Sequence, residues 1–302
     1  MSAITRLRRR ERLTGLADEA ASGLGEQIAC HHMLGWRTLE LRSVQGEPVG
    51  ALPASRLDRI ADVLCEADMT VPVIASRIGN WGRDIADPFD EDLAEFDRLA
   101  TFGARVGTKM IRVMSYPARA AAEDDWQREV VRRLRTLAAR AQDRGLVIVH
   151  ENCAGWGGRS VEHLCRLAES IPDRGFALLF DMGNGPSYGY DSLEMLRAIV
   201  SRVVHVHVKD ARREAGGPVR FTLPGEGECR VAECLELLEH HGYEGMYSIE
   251  PHLHVVPHLG MQTAGDDERA AARTAYAACA HAVEQLLARC RPLTHLEMSH
   301  AA

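Results

Sequence analysis

Short apolar runs alternate with amphipathic stretches along the whole chain. Strand-like runs lie at 13–17, 38–43, 70–75, 110–114, 146–151, 176–181, 203–208 and 246–250. Stretches with apolar positions at the helical period follow them at 21–34, 54–67, 91–102, 124–144, 160–170, 192–200, 231–241 and 268–290. In the fourth of these, Val130, Val131, Leu134, Leu137 and Ala138 mark one face. Gly35, Gly103, Gly145 and Gly242 follow predicted helix ends, where a left-handed cap favours glycine. Asp90 and Asp191 precede helices as candidate N-caps. Strict alternation of strand and helix predicts a parallel sheet. Eight such units within 302 residues predict an α/β fold, a single-domain (β/α)8 TIM barrel covering 1–302 with its core at about 12–290. Two loops, 211–230 and 251–267, are longer than the barrel requires. They follow the seventh and eighth strands, on the face where barrel loops carry function.

Four consecutive predicted strands end in the same manner. The run LVIVHENCAGWGG (146–158) reaches Glu151 and then breaks into a glycine-rich loop. The next three end at Asp181, His207 and Glu250. Side chains alternate along a strand, so parity decides which residues share a face. Glu151 shares its parity with Val149 and Val147, Asp181 with Leu179, His207 with His205, and Glu250 with Ser248. Each can point into the barrel, and neighbouring strands can bring all four to one point. Three carboxylates and one imidazole suit a single divalent cation, with Mn, Mg, Co and Zn all compatible and Mn favoured. Three carboxylates crowded together would repel one another, which also argues for a cation.

Charge and composition narrow the function classes. The chain is 46% hydrophobic and 26% charged, ordinary for a globular enzyme, with a net charge of -7. That balance argues against a general nucleic-acid binder. The basic cluster Arg6, Arg8, Arg9 and Arg10 reads as a solvated start to the chain. Eight cysteines form no CxxC pair, so reduced thiols are expected. No apolar h-region follows the first residues and no apolar run approaches the ~20 residues of a membrane span. A cytoplasmic location is expected, with no membrane partner and homo-oligomerisation left open.

The segments LTGLADEA (13–20), LGWRTLELRSV (34–44), IRVMSY (111–116), HEN (150–152), FDMGN (180–184), HVHVKD (205–210), GEG (225–227) and SIEPH (248–252) resemble the sugar phosphate isomerase/epimerase family of xylose isomerase-like barrels. Residue by residue, the resemblance places that family's metal ligands on Glu151, Asp181, His207 and Glu250, the quartet already reached from parity. It also implies a chemistry. In the family's epimerases and ketose isomerases the metal holds two adjacent substrate oxygens, and the two ligand glutamates exchange a proton at the carbon between them. Glu151 and Glu250 take those roles by analogy.

The resemblance extends to the pocket. Asn184, where several members carry histidine, is expected to contact a substrate hydroxyl. Lys209 and Arg213 resemble substrate-contacting cations. Trp156 is expected to form an apolar wall, and His252 to hold Glu250 or reach the substrate. His205 reads as a packed neighbour of His207, Cys153 as packing, and His254 as surface. Gly157 stands where the free-ketose epimerases carry a second glutamate. The acidic run Gly225-Glu226-Gly227-Glu228 disfavours a phosphorylated substrate, against which Lys209, Arg212 and Arg213 pull. Apurinic endonucleases share the barrel but need a histidine where Asn184 stands. The leading expectation is a metal-dependent isomerase or epimerase of a sugar or polyol-derived ketone. The alternative is a lyase on the same scaffold, either a keto-inositol or keto-sugar dehydratase or a β-eliminating enzyme on an oxidised glycoside. A non-catalytic sugar binder on a retired barrel is disfavoured by the intact quartet.

Overall fold

The structure, a computed structural model, describes residues 11–214, 217–254 and 265–290. The basic cluster at Arg6–Arg10 and most of the loop after the last barrel strand lie outside the described residues. The strands are β1 (Leu13–Gly15), β2 (Ser43–Val44), β3 (Glu47–Pro48), β4 (Val73–Ala75), β5 (Met110–Ser115), β6 (Val147–Gly155), β7 (Phe176–Asp181), β8 (Val203–Val208), β9 (Asp210–Arg213), β10 (Val219–Thr222) and β11 (Met246–Ile249). The helices are α1 (Leu24–Met33), α2 (Ala54–Glu66), α3 (Phe89–Val106), α4 (Glu123–Asp143), α5 (Val161–Ser170), α6 (Gly185–Tyr188), α7 (Ser192–Ile199), α8 (Val231–His240) and α9 (Asp266–Arg289).

Seven strands form one parallel sheet in the order β1-β11-β8-β7-β6-β5-β4. The predicted second strand is not a regular one. Its residues instead make single parallel bridges to both open edges, Leu16 with Glu40 on one side and Thr38 with Thr70 and Leu41 with Ile74 on the other. Those bridges occupy the eighth position and close the (β/α)8 barrel. Immediately beyond, β2 and β3 form a small antiparallel hairpin. Fully buried leucines, among them Leu134, Leu137, Leu164, Leu167, Leu196 and Leu235, press the helices onto the sheet.

Helix ends follow the local sequence with two corrections. Asp191 caps α7 by accepting from the Glu194 amide at 2.9 Å. Asp90 is not a cap, because α3 starts one residue earlier, at Phe89, and Asp90 lies in its first turn. Gly103 is not a helix end either. It lies inside α3, where an added Cβ would come within 2.8 Å of Thr108, while Gly107 at φ +78 takes the left-handed cap. The long 211–230 loop contains the antiparallel β9–β10 hairpin.

Two features of the sheet aim the site. On β5–β6 the register moves from Val113–His150 to Ser115–Gly155, so β6 bulges at Glu151–Ala154. On its other side Glu151 keeps regular register, paired with Leu179 of β7. On β7–β8, Asp181 pairs directly with His207, so their side chains sit side by side.

Candidate metal centre and active site

The four strand-end residues converge at the carboxyl end of the barrel. One donor atom from each of Glu151, Asp181, His207 and Glu250 lies within 4.8 Å of all the others, and all four residues are buried. Two ligands on opposite sides of one ion, each at roughly 2.0–2.6 Å, would have about this separation. The chain positions differ slightly from expectation. Asp181 ends β7, His207 is one residue inside the end of β8, Glu250 is one past β11, and Glu151 lies within β6.

The protein itself holds each carboxylate. Arg112 Nη1 donates to Glu151 Oε2 at 3.0 Å, and Asn184 Nδ2 to Glu151 Oε1 at 3.2 Å. Arg42 Nη1 donates to Glu250 Oε1 at 2.6 Å, while Lys209 Nζ donates to Glu250 Oε2 at 2.9 Å. The same ammonium lies 2.8 Å from Asp181 Oδ2, and Asp181 Oδ1 accepts from the Gly183 amide at 2.7 Å. This weakens the repulsion argument made from sequence: Arg112, Arg42 and Lys209 each hold a quartet carboxylate, although Arg42 is shared with Asp18 and Glu19. Burial disfavours charge on Lys209, but Asp181, Glu250 and Glu151 outweigh it and hold its pKa well above the usual lysine range. Burial likewise opposes ionisation of Glu250, yet Lys209, His252 and His207 hold its carboxyl well below the usual range.

The case for a cation therefore rests on donor spacing and on His207. Its Nε2 faces Glu40 at 3.0 Å, and its buried Nδ1 has no hydrogen-bond partner among the described residues. That Nδ1 lies 3.4 Å from Glu250 Oε2 and 3.8 Å from Asp181 Oδ2. A nitrogen placed among carboxylates with its partner nitrogen engaged elsewhere is the arrangement of a metal-binding histidine. The residues present fit a divalent ion, and the set of three oxygens and one nitrogen does not select among Mn, Mg, Co and Zn.

A cavity of about 340 Å³ opens above the quartet. Of the expected substrate contacts, Asn184, Lys209 and His252 line it. His252 is held by Glu19, which accepts from its backbone amide at 2.6 Å and faces its Nδ1 at 2.8 Å. Two expected contacts lie elsewhere. Trp156 is fully buried, with its indole donating to Glu123 and Arg166 stacked over its ring. It is part of the packing between β6 and α5, not a cavity wall. Arg213 points away and donates to the Pro186 carbonyl. At Gly157 a Cβ would come within 2.4 Å of Leu167, so the position has no room for a glutamate. Cys153 lines the cavity, but burial and the Glu151 charge push its thiol up to about 12, which keeps it protonated.

The apolar walls come instead from Trp81, Met114, Tyr188 and Phe221. Phe221, on the β9–β10 hairpin, packs edge-on to His252 at 4.9 Å and lies 5.8 Å from Lys209 Nζ. Sequence reasoning missed these residues, as it missed Arg42, Glu40 and Arg112. For the last three a signal existed: Glu40 and Arg42 alternate with Leu39 and Leu41, and Arg112 interrupts an apolar strand.

Asp210 explains the glycine-rich run after β10. Its carboxylate accepts backbone amides from Gly225 at 2.8 Å, Gly227 at 2.9 Å, Ala211 at 2.9 Å and Cys229 at 3.1 Å. A Cβ at Gly227 would approach Asp210 to 2.2 Å, so only glycine permits this closeness. The loop amides that could cradle a phosphate are occupied by the chain's own carboxylate.

The comparisons with known proteins bear on the family and the fold. A sequence family described as a xylose isomerase-like TIM barrel matches residues 31–283. An inosose dehydratase from Geobacillus thermodenitrificans is 26% identical over 259 residues, 72% of this chain and 87% of that protein. One from Clostridium perfringens is 30% identical over 142 residues, 42% of this chain and 48% of that protein. Among solved structures, the IOLI protein with a bound zinc atom has a TM-score of 0.72 at 14% identity, over 93% of this chain and all of that one.

Proposed function

Because the chain belongs to the xylose isomerase-like TIM barrel family, we propose that it is a divalent-metal-dependent lyase that removes water from a keto-inositol or a related keto-sugar. The observation that carries the lyase assignment is the match to an inosose dehydratase over 87% of that protein's length. It reverses the order of the two readings made from sequence, where isomerisation led. Isomerisation and dehydration both begin with loss of a proton next to a carbonyl, so the quartet alone does not separate them.

A divalent cation, when bound, would polarise the carbonyl and stabilise the negative charge that develops as the proton leaves. Glu151 is the better placed of the two glutamates to take that proton; the C–O bond on the next carbon then breaks as the double bond forms, and the hydroxyl leaves with one proton as water. Among the described residues Glu151 Oε1 carries only the 3.2 Å contact from Asn184, whereas both oxygens of Glu250 are held by cations. Glu250 faces it as the partner carboxylate, with Lys209 Nζ 2.9 Å from its Oε2. Asn184 and His252 line the cavity and supply hydrogen bonds to the ring hydroxyls. The walls formed by Trp81, Tyr188 and Phe221 suit the apolar face of a ring. The Asp210-filled loop favours an unphosphorylated substrate.

The direct assay is incubation of the metal-loaded protein with a keto-inositol in D2O. The expected result is a product lighter than the substrate by one water, formed as an enolised dicarbonyl with near-ultraviolet absorbance. Deuterium uptake into an otherwise unchanged carbon skeleton, with no water lost, would return the assignment to isomerase.

A further inference from the structure

Glu40 is buried and was assigned no role by motif or parity. It sits in the segment that closes the barrel between β1 and β4, and its carboxylate spans the interior to two histidines on β8. Glu40 Oε2 lies 2.8 Å from His205 Nε2, and its two oxygens lie 3.0 and 3.1 Å from His207 Nε2. A carboxylate accepts and does not donate, so each imidazole facing it presents an N–H at Nε2. The two rings stand edge to face with centroids 5.5 Å apart, so one carboxylate fixes the orientation of both.

We propose that Glu40 is the positioning residue of the metal centre: by accepting from Nε2–H of His207 it turns the lone pair of Nδ1 toward Asp181 and Glu250, and by holding His205 it braces that grip. The proposal rests on the assignment of the quartet as a metal site. A second cation at Glu40, His205 and His207 is disfavoured although their donors also cluster. The separations of 2.8–3.1 Å are those of N–H···O hydrogen bonds, which consume the nitrogen lone-pair positions a cation would need. Losing an outer carboxylate of this kind costs roughly 10- to 100-fold in metal affinity.

The test is competition for Zn2+ or Co2+ against a chromophoric chelator, with the wild-type chain and Glu40→Gln. The amide keeps one acceptor oxygen but turns a donor toward a nitrogen that already carries hydrogen, so it cannot reproduce all three contacts. The expected result is one ion per chain in both proteins, bound about 10- to 100-fold more weakly by the variant, with an unchanged circular dichroism spectrum. Affinities within twofold of each other would overturn the role of Glu40 while leaving the quartet intact. No binding by the wild type would overturn the quartet itself and the proposal with it, and two ions per wild-type chain would overturn the hydrogen-bonding role. If Glu40→Gln fails to fold, two measurements decide. Glu40→Asp, with the carboxylate withdrawn by one methylene, is expected to bind less tightly than wild type. Nitrogen-15 spectra of the zinc-loaded wild type are expected to show His207 protonated at Nε2 and ligating through Nδ1, and the opposite pattern would refute the proposal.

Discussion

Glu151→Gln is expected to lower kcat by about a thousandfold or more, because it removes a proton acceptor and a metal ligand together. The fold should hold. Glutamine keeps the shape, and its carbonyl oxygen can still accept from Arg112, whose Nη2 remains bound to the Ser76 carbonyl at 3.0 Å. What glutamine lacks is the capacity to receive a proton from carbon. Steady-state kinetics beside a thermal melt check both halves of the expectation. Activity within tenfold of wild type, in a folded variant, would move the base elsewhere, and Glu250 would be the next residue to replace. Asn184 contributes less by the same logic, since its amide donates to Glu151 Oε1 at 3.2 Å and to the Asn152 carbonyl at 3.3 Å but cannot take up a proton from carbon.

Arg42→Met is expected to give the largest loss of stability. Its side chain is 11% exposed, and the guanidinium contacts three carboxylates. Its Nε and Nη2 each lie 3.0 Å from an Asp18 oxygen, Nη2 also reaches Glu19 Oε1 at 2.9 Å, and Nη1 reaches Glu250 Oε1 at 2.6 Å. Burial and these three charges act in opposite directions, and the charges prevail, holding the Arg42 pKa well above its usual value. Methionine restores much of the volume but leaves Asp18, Glu19 and Glu250 buried with too little positive charge. Removing one partner of a buried ionic network costs on the order of 3–5 kcal/mol. At about 2–4 °C per kcal/mol for a chain of this size, Tm should fall by roughly 6–20 °C. A melt within about 2 °C of wild type would show that the carboxylates relax or take up protons at little cost. Adding Asp18→Asn to Arg42→Met should recover part of the loss, since one of the stranded charges then disappears.

Much of this structure can be read from the sequence, and the unread parts share a cause. Helix bounds at α2, α4, α7, α8 and α9 fall within two residues of those expected from periodicity, because each helix buries one continuous face. Convergence of Glu151, Asp181, His207 and Glu250 follows from strand order and parity, both local rules. What parity does not reveal is pairing across the barrel. Arg42 meets Glu250 across 208 positions of sequence, and Glu40 meets His207 across 167. Each is visible in sequence only as a charged residue at an inward position of an apolar run. The repulsion argument is incomplete for the same reason, since it counts the carboxylates without Arg42, Arg112 and Lys209 that face them. Trp156 was misplaced because a loop residue has no parity, and only the structure shows its indole turned toward Glu123. The closing segment at Thr38–Leu41 reads as a full strand, but makes only isolated bridges. Choosing between isomerase and lyase needed relatives, because both reactions use the same proton removal.

The most direct measurement is the metal content of the purified chain after chelation, reloading with one divalent ion at a time and removal of excess. One ion per chain is predicted for the wild type, falling well below one in Asp181→Asn/His207→Ala. No stoichiometric ion in the wild type, or an undiminished ion in the variant, would contradict the quartet as the metal site.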